Sequence, residues 1–135
     1  MSLVRIFLPT YARPQLLQRA LASLCAQTFI DWVAEVHNDL PDDPAPAKIV
    51  DEPNDSRITS VEHAQNLGGT ATFNLFSLPS SEPYYSLLED DNWWEPEFLE
   101  RMLGIWTRTK TWSLPGAINY YLGHRASVAV CFSSV

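Results

Sequence analysis

The sequence predicts an α/β domain, a mostly parallel sheet flanked by helices, and three observations predict it. Short aliphatic runs, "LVRIFL", "DWVAEVH", "RITSV" and "YYSLL", recur along the first two thirds of the chain. Segments with helical periodicity or helix-start chemistry separate them, and strands that alternate with helices at such spacing build parallel, helix-covered sheets. Polar segments, "PTYARP", "HNDLPDD" and "LEDDN", close three of the runs. That places them at strand carboxyl ends, along one edge of the sheet, where open α/β sheets bind ligands.

Each element has its own signal. "LVRIFL", Leu3 to Leu8, reads as a mostly buried strand ended by "PTYARP". Pro14 suits a first helical turn, and Leu16, Leu17, Ala20, Leu21, Leu24 and Cys25 recur at the helical period as one apolar stripe. "DWVAEVH", Asp31 to His37, is the second strand. The polar, proline-rich stretch after it holds a short helix, with Asp43 as cap, Pro44 or Pro46 in the first turn, and Ile49 and Val50 packing inward. "RITSV", Arg57 to Val61, is the third strand, and "NLGGTATFNLFSL" supplies a glycine pair and a helix through Leu78. "YYSLL", Tyr84 to Leu88, is the fourth strand. A helix from about Pro96 then sets Phe98, Leu99, Met102, Leu103 and Trp106 on one face. Over residues 107–135 the period fades: "SVAVCF", Ser127 to Phe132, reads as a further strand, and the stretch before it carries no assignable element.

With 135 residues the chain suffices for one domain with a real core and is short for two, so residues 1–135 are expected to form a single unit. A composition 46% hydrophobic and 19% charged is that of a folded globular protein. Sixteen acids against nine bases give a net charge of −7, and no Lys or Arg run exists to release counterions from a phosphate backbone, which excludes nucleic acid as a partner. No window approaches a transmembrane span and the start lacks a signal-peptide pattern. Cys25 and Cys131, far apart in apolar settings, read as buried reduced thiols, and a cytoplasmic location is expected.

Glu89, Asp90 and Asp91 are consecutive acids where a strand gives way to a helix, and they repel one another unless something positive sits among them. Alone they read either as a solvated acidic loop near the positive end of the following helix or as ligands of a hard cation. An acidic chain with an anionic ligand needs such a cation to reverse the local field. His37, His63 and His124 lack metal-ligand spacing and are expected at the surface or at strand ends. Of Trp93 and Trp94, at least one is expected to pack rather than to face a ligand.

Four segments, "PTYARPQLLQRALASLCAQTFIDW", "VHNDLPDD", "NLGGTATFN" and "LLEDDNWWEPEFLERML", stand in an order and approximate spacing that resemble the family 2 glycosyltransferases. The resemblance covers the chain from about Leu3 to Gly104. It implies the Rossmann-like GT-A fold of nucleotide-diphospho-sugar transferases, with the C-terminal part truncated. It also implies metal-dependent binding of a nucleotide-sugar donor, a UDP-sugar favoured, and inverting transfer to a saccharide, lipid or protein acceptor. Pro9, Thr10 and Tyr11 would lie against base and ribose, and Asp39 would hydrogen-bond the base. Asp90 would sit near ribose or metal, and Asp91 would ligate Mn²⁺ or Mg²⁺. Ala12 stands where the family often has Asn, and Gly68 and Phe73 where it often has basic residues that face the diphosphate. The general base, usually an Asp, comes in this family from a later acceptor-binding segment, and no residue here takes that role.

The chemistry gives these roles a reason. A departing nucleoside diphosphate gains negative charge, and a divalent cation held by one or two carboxylates neutralises it. Other readings stand beside them: Tyr11 covering the first helix, Asp39 capping a turn, and the Gly68–Gly69 pair either cradling a phosphate or simply turning the chain. A non-catalytic nucleotide-binding or interaction module with the same fold is the alternative function. A nucleotidyltransferase also holds metal at strand ends but carries a Gly- and basic-rich phosphate loop near its start, which "PTYARP" is not. An unpaired sheet edge or uncovered patch would favour a homodimer.

Overall fold

The computed structural model describes residues 2–76, 81–108, 119–122 and 128–133. Along the chain come β1 (Val4–Thr10), α1 (Pro14–Cys25), β2 (Trp32–Asn38), α2 (Ala45–Asp51), β3 (Ile58–Glu62) and α3 (Gly69–Leu75). β4 (Tyr84–Leu87), α4 (Phe98–Arg108), β5 (Asn119–Leu122) and β6 (Val128–Ser133) follow. They form one sheet in the order β3-β2-β1-β4-β6-β5. The β3-β2-β1-β4 part is parallel, as the alternation of strands and helices predicts, while β6 runs antiparallel to β4 and β5 antiparallel to β6.

Alternation along β1 and β2 divides the side chains between two layers. Val4, Ile6 and Leu8 with Trp32, Ala34 and Val36 face α1 and α2, meeting Leu17, Ala20, Leu21, Leu24, Ile49 and Val50 in the main core. Trp94 from the β4–α4 connection and Leu99 from α4 close the same layer. On the opposite face Phe7, Leu87 and Phe76 form a smaller cluster beside α3. That face also carries Arg5, Glu35 and His37 as a polar row, which a strictly apolar buried strand would not show.

Several boundaries differ from the sequence expectation. α4 begins at Phe98 rather than near Pro96, because Pro96 and Glu97 make a turn closed by the Phe98 N–H donating to the Glu95 carbonyl at 2.9 Å. α3 ends at Leu75, and Leu78, where the helix was expected to run, lies outside the described residues. β5 falls in the stretch with no assignable element: four residues are too few for a period to show. Cys25 is a correction. It is exposed, not buried, since the stripe that packs is Leu17, Ala20, Leu21 and Leu24, and Cys25 at the last helical position turns past its edge. Among the described residues no helix is long and apolar enough to cross a membrane.

Candidate functional site

The chain leaves β1 for β2 and β3 on one side, and later returns to place β4 on the other side of β1. The crevice at the carboxyl ends of β1 and β4 is therefore the topological switch point, the place where such sheets take ligands. Three loops meet there: 10–13 after β1, 39–43 after β2 and 88–97 after β4.

Thr10, the last residue of β1, joins all three. Its carbonyl accepts the Asp39 N–H at 3.0 Å, and its hydroxyl donates to Asp90 Oδ2 at 2.9 Å. The Tyr11 N–H adds a further bond to the Asp90 carboxylate. Asp90 is buried, and desolvation raises its pKa, followed by repulsion from Asp91; the bonds from Thr10, Arg13 and Tyr11 oppose that rise without cancelling it. Glu89, at the mouth of the turn, is also raised, first by desolvation and then by the Asp91 and Asp90 carboxylates.

The positive charge that the acidic triplet requires is Arg13. Its Nη1 lies 3.3 Å from Asp90 Oδ1 and 3.4 Å from Asp91 Oδ2. Sequence reasoning expected a bound cation and did not single out Arg13, although three adjacent acids demand a counter-charge and "PTYARP" carries one. The preceding Ala12 sits at φ 53°, in the left-handed region that Asn tolerates better, so the departure at this position has a structural cost.

The acidic turn is held rigidly from behind. Arg19 donates to the Asp91 carbonyl at 2.7 Å and stacks on Trp93, which is exposed. Ser23 Oγ accepts the Trp94 N–H at 3.1 Å. Gln27, buried at the end of α1, donates to the Glu95 carbonyl at 2.8 Å and accepts the Leu99 N–H at 3.0 Å. Trp94 is buried and stacks on Phe98, so one of the tryptophan pair packs, as expected.

Asp39 is placed by a different set. Its Oδ1 accepts the Leu67 N–H at 2.8 Å and His63 Nδ1 at 2.9 Å, and its Oδ2 accepts the Gly68 N–H at 3.0 Å. Burial works to raise its pKa, but the His63, Leu67 and Gly68 hydrogen bonds outweigh it and hold the carboxyl below its ordinary value. Gly68 takes φ +80°, which a side chain would strain, so this glycine permits the chain to present two successive N–H groups to Asp39 before α3. Of the surface and strand-end alternatives for the histidines, the second holds for His37, near the end of β2, and for His63, directly after β3. Both side chains are buried and hydrogen-bonded to each other at 3.1 Å, while His124 lies outside the described residues.

The structure thus gathers Pro9, Thr10, Tyr11, Asp39, Asp90 and Asp91 at the carboxyl ends of β1, β2 and β4, with Gly68 tied to Asp39. Tyr11 is half exposed, its ring free of the main core cluster. Missed from sequence were the roles of Arg13, Arg19 and Gln27 and the contact between His37 and His63, whose partners lie far away along the chain.

The family profile described as "Glycosyl transferase family 2" matches residues 5–126. The chain belongs to glycosyl transferase family 2. Its match extends past Gly104, where the motif resemblance stops. A curated relative is the putative colanic acid biosynthesis glycosyl transferase WcaA of Escherichia coli (strain K12), 29% identical over 102 residues that make up 75% of this chain and 37% of WcaA. Among solved structures, S. aureus TarS 1–349 in complex with UDP superposes with a TM-score of 0.69 at 17% identity, over 82% of this chain and 33% of that one. The mannosyltransferase PcManGT from Pyrobaculum calidifontis, in complex with GDP-Man and Mn²⁺, gives a TM-score of 0.59 at 18% identity, over 68% of this chain and 28% of that one. These likenesses establish the GT-A fold. This family 2 chain spans about a third of the length of the relatives it matches.

Proposed function

We propose that residues 1–135 form the donor-binding unit of a glycosyltransferase, taking a nucleotide-diphospho-sugar and a divalent cation at the crevice between β1 and β4. The observation that carries this reading is the Thr10–Asp90 hydrogen bond at 2.9 Å, which locks the β1 loop to the acidic turn at the switch point. In this reading Pro9, Thr10 and Tyr11 line the base and ribose, and Asp39 offers an acceptor to the base. A base with an imide N–H, as in UDP, fits a carboxylate whose pKa is held low. Gly68 stands beside the diphosphate, where a missing side chain lets the backbone approach.

The residues suit a hard cation. Asp91 has a side chain 52% exposed, and Arg13 Nη1 lies 3.4 Å from its Oδ2, so oxygen lone pairs remain available. Among the described residues no group of three His, Cys, Asp or Glu side chains forms a cage. One or two carboxylates with the remaining ligands from phosphate and water is a common arrangement for Mg²⁺, and Mn²⁺ also favours oxygen ligands. When bound, the cation supplies the charge that neutralises the departing diphosphate. Asp91 would hold it, Asp90 would orient ribose or metal from its buried position, and Arg13 would turn from the carboxylates to the diphosphate. Transfer would proceed with inversion: the acceptor hydroxyl forms its bond to the anomeric carbon as the bond to the diphosphate breaks, and a base takes the hydroxyl proton. The acceptor is a saccharide, lipid or protein, and the site of action is the cytoplasm. A homodimer through an unpaired sheet edge belongs to the same proposal.

Thermal melting with UDP, GDP and ADP, each with and without Mn²⁺, tests the donor assignment. Ligand at a hundredfold its Kd stabilises by about 2.7 kcal/mol. UDP with Mn²⁺ should raise Tm most; equal shifts from all three nucleotides, or none, would remove the proposal.

A further inference from the structure

On the sheet face opposite α1, a continuous hydrogen-bonded row crosses from the start of β1 to the loop before α3. Arg5 pairs with Glu35, Glu35 Oε2 meets His37 Nε2 at 3.2 Å, and His37 Nδ1 meets His63 Nε2 at 3.1 Å. His63 Nδ1 then meets Asp39 Oδ1 at 2.9 Å, and Asp39 holds the Leu67 and Gly68 N–H groups. Phe7 packs on the His37 ring at 4.3 Å, and the side chains of His63 and Asp39 are more than nine-tenths buried.

Counting protons fixes the charge of this row. Both ends are acceptors. Glu35 is kept ionised because the bonds from Arg5 and His37 overcome its partial burial, and Asp39 because His63 and two backbone donors overcome its own. The outer ring nitrogens, His37 Nε2 and His63 Nδ1, must therefore both carry hydrogen. The inner nitrogens face each other at 3.1 Å, which requires one hydrogen between them: none would oppose two lone pairs, and two would oppose two N–H groups. Two imidazoles then hold three protons, one more than two neutral rings; burial works against that charge and, with His63 and Arg5 nearby, holds the His37 pKa below its ordinary value although the Glu35 bond raises it. The row alternates Arg5 positive, Glu35 negative, histidine pair positive and Asp39 negative, and its charges cancel.

We propose that His37 and His63 share one proton as a single cationic unit, and that through Asp39 they act as positioning residues for the 67–68 backbone at the donor site. The link to donor binding rests on the function proposed above; the proton count does not. Other charged groups do not supply the compensation. β3 brings Val61 to the His37 register, and Glu62 turns away to Asn38 and Ser60. α3 contributes Phe76, and β4 contributes Tyr85, whose burial raises its pKa and keeps it a neutral phenol. Loss of the shared proton sets two lone pairs against each other, and a second added proton sets two cations against each other. Either change pushes His63 off Asp39 and loosens the Leu67 and Gly68 N–H groups.

Long-range ¹H–¹⁵N spectra of the imidazole nitrogens in the wild-type chain, without nucleotide, test the count. The expected result on the acid side of neutral pH, where the lowered His37 pKa puts the charged pair, is two protonated outer nitrogens and an inner pair sharing one hydrogen, with the Leu67 and Gly68 amide shifts moving on the same titration. Two neutral rings, or amides that ignore the titration, would overturn the proposal. UDP affinity should peak where the pair holds one proton and fall roughly tenfold on either side, while His63→Gln and, separately, His37→Gln should flatten the profile. A protonated pair in a chain that binds no UDP removes the donor reading and leaves the pair's role in ordering the loop. UDP binding at full affinity with a neutral pair removes this inference alone.

Discussion

Replacing Asp39 by Asn tests how the β2 loop is held, and its cost follows from the geometry. The carboxylate serves three donors: Leu67 N and His63 Nδ1 on Oδ1, and Gly68 N on Oδ2. Asparagine has one acceptor oxygen. Its best orientation keeps the first two bonds and turns an NH₂ group towards the Gly68 N–H. One bond to a charged group is lost, worth about 1.5–3 kcal/mol, and two others fall to the roughly 1 kcal/mol of neutral bonds. The total is about 3 kcal/mol at neutral pH, or roughly 10 °C in Tm for a domain of this size. The pH dependence has a definite sign. The folded carboxyl titrates below its unfolded counterpart, so the stabilisation is complete above a pH of about 4 and is lost as pH falls through the folded value. Urea denaturation followed by circular dichroism should therefore show a gap between wild type and Asp39→Asn that is full at pH 7 and narrower near pH 3. Equal stabilities at pH 7, or a gap of constant size, would refute this account of the clamp.

Asp90→Asn should behave in the opposite way. Its folded pKa is raised, chiefly by desolvation, so the ionised group opposes folding as pH rises through that value. The variant should lie within about 1 kcal/mol of wild type, or above it, at pH 7, while losing nucleotide affinity in the same sample. Gln27→Ala strands the Leu99 N–H behind the acidic turn, while the Glu95 carbonyl keeps the Phe98 N–H, and should cost about 1–3 kcal/mol by urea denaturation. Ala12→Asn relieves a left-handed residue at φ 53° and should stabilise by about 0.5–1 kcal/mol in the same measurement.

Much of the fold was legible because its signals are local. The stripe on α1 and the aliphatic runs of β1 and β2 announce themselves by period, and the acidic turn by three like charges in a row. Residues that act across long sequence separations were not legible. Arg13 and Asp90 are 77 positions apart, and Gln27 and Leu99 are 72, so nothing nearby in sequence marks either pair. The contact between His37 and His63 was not legible because it needs the β2–β3 register, which places His37 opposite Val61 and brings the following residues alongside Asp39. Cys25 was misplaced for a simpler reason: one helical position beyond the packed stripe is enough to reach solvent.

The central claim is that the acidic turn after β4 holds a divalent cation and, through it, a nucleoside diphosphate. Calorimetric titration of UDP into the wild-type chain and into Asp91→Asn, each with and without Mn²⁺, tests it most directly. The account predicts binding by the wild type that strengthens at least tenfold with Mn²⁺, about 1.4 kcal/mol, and an Asp91→Asn variant that keeps its fold and loses that gain. Equal UDP affinity with and without Mn²⁺ in the wild type, or a metal effect that survives in Asp91→Asn, would contradict it.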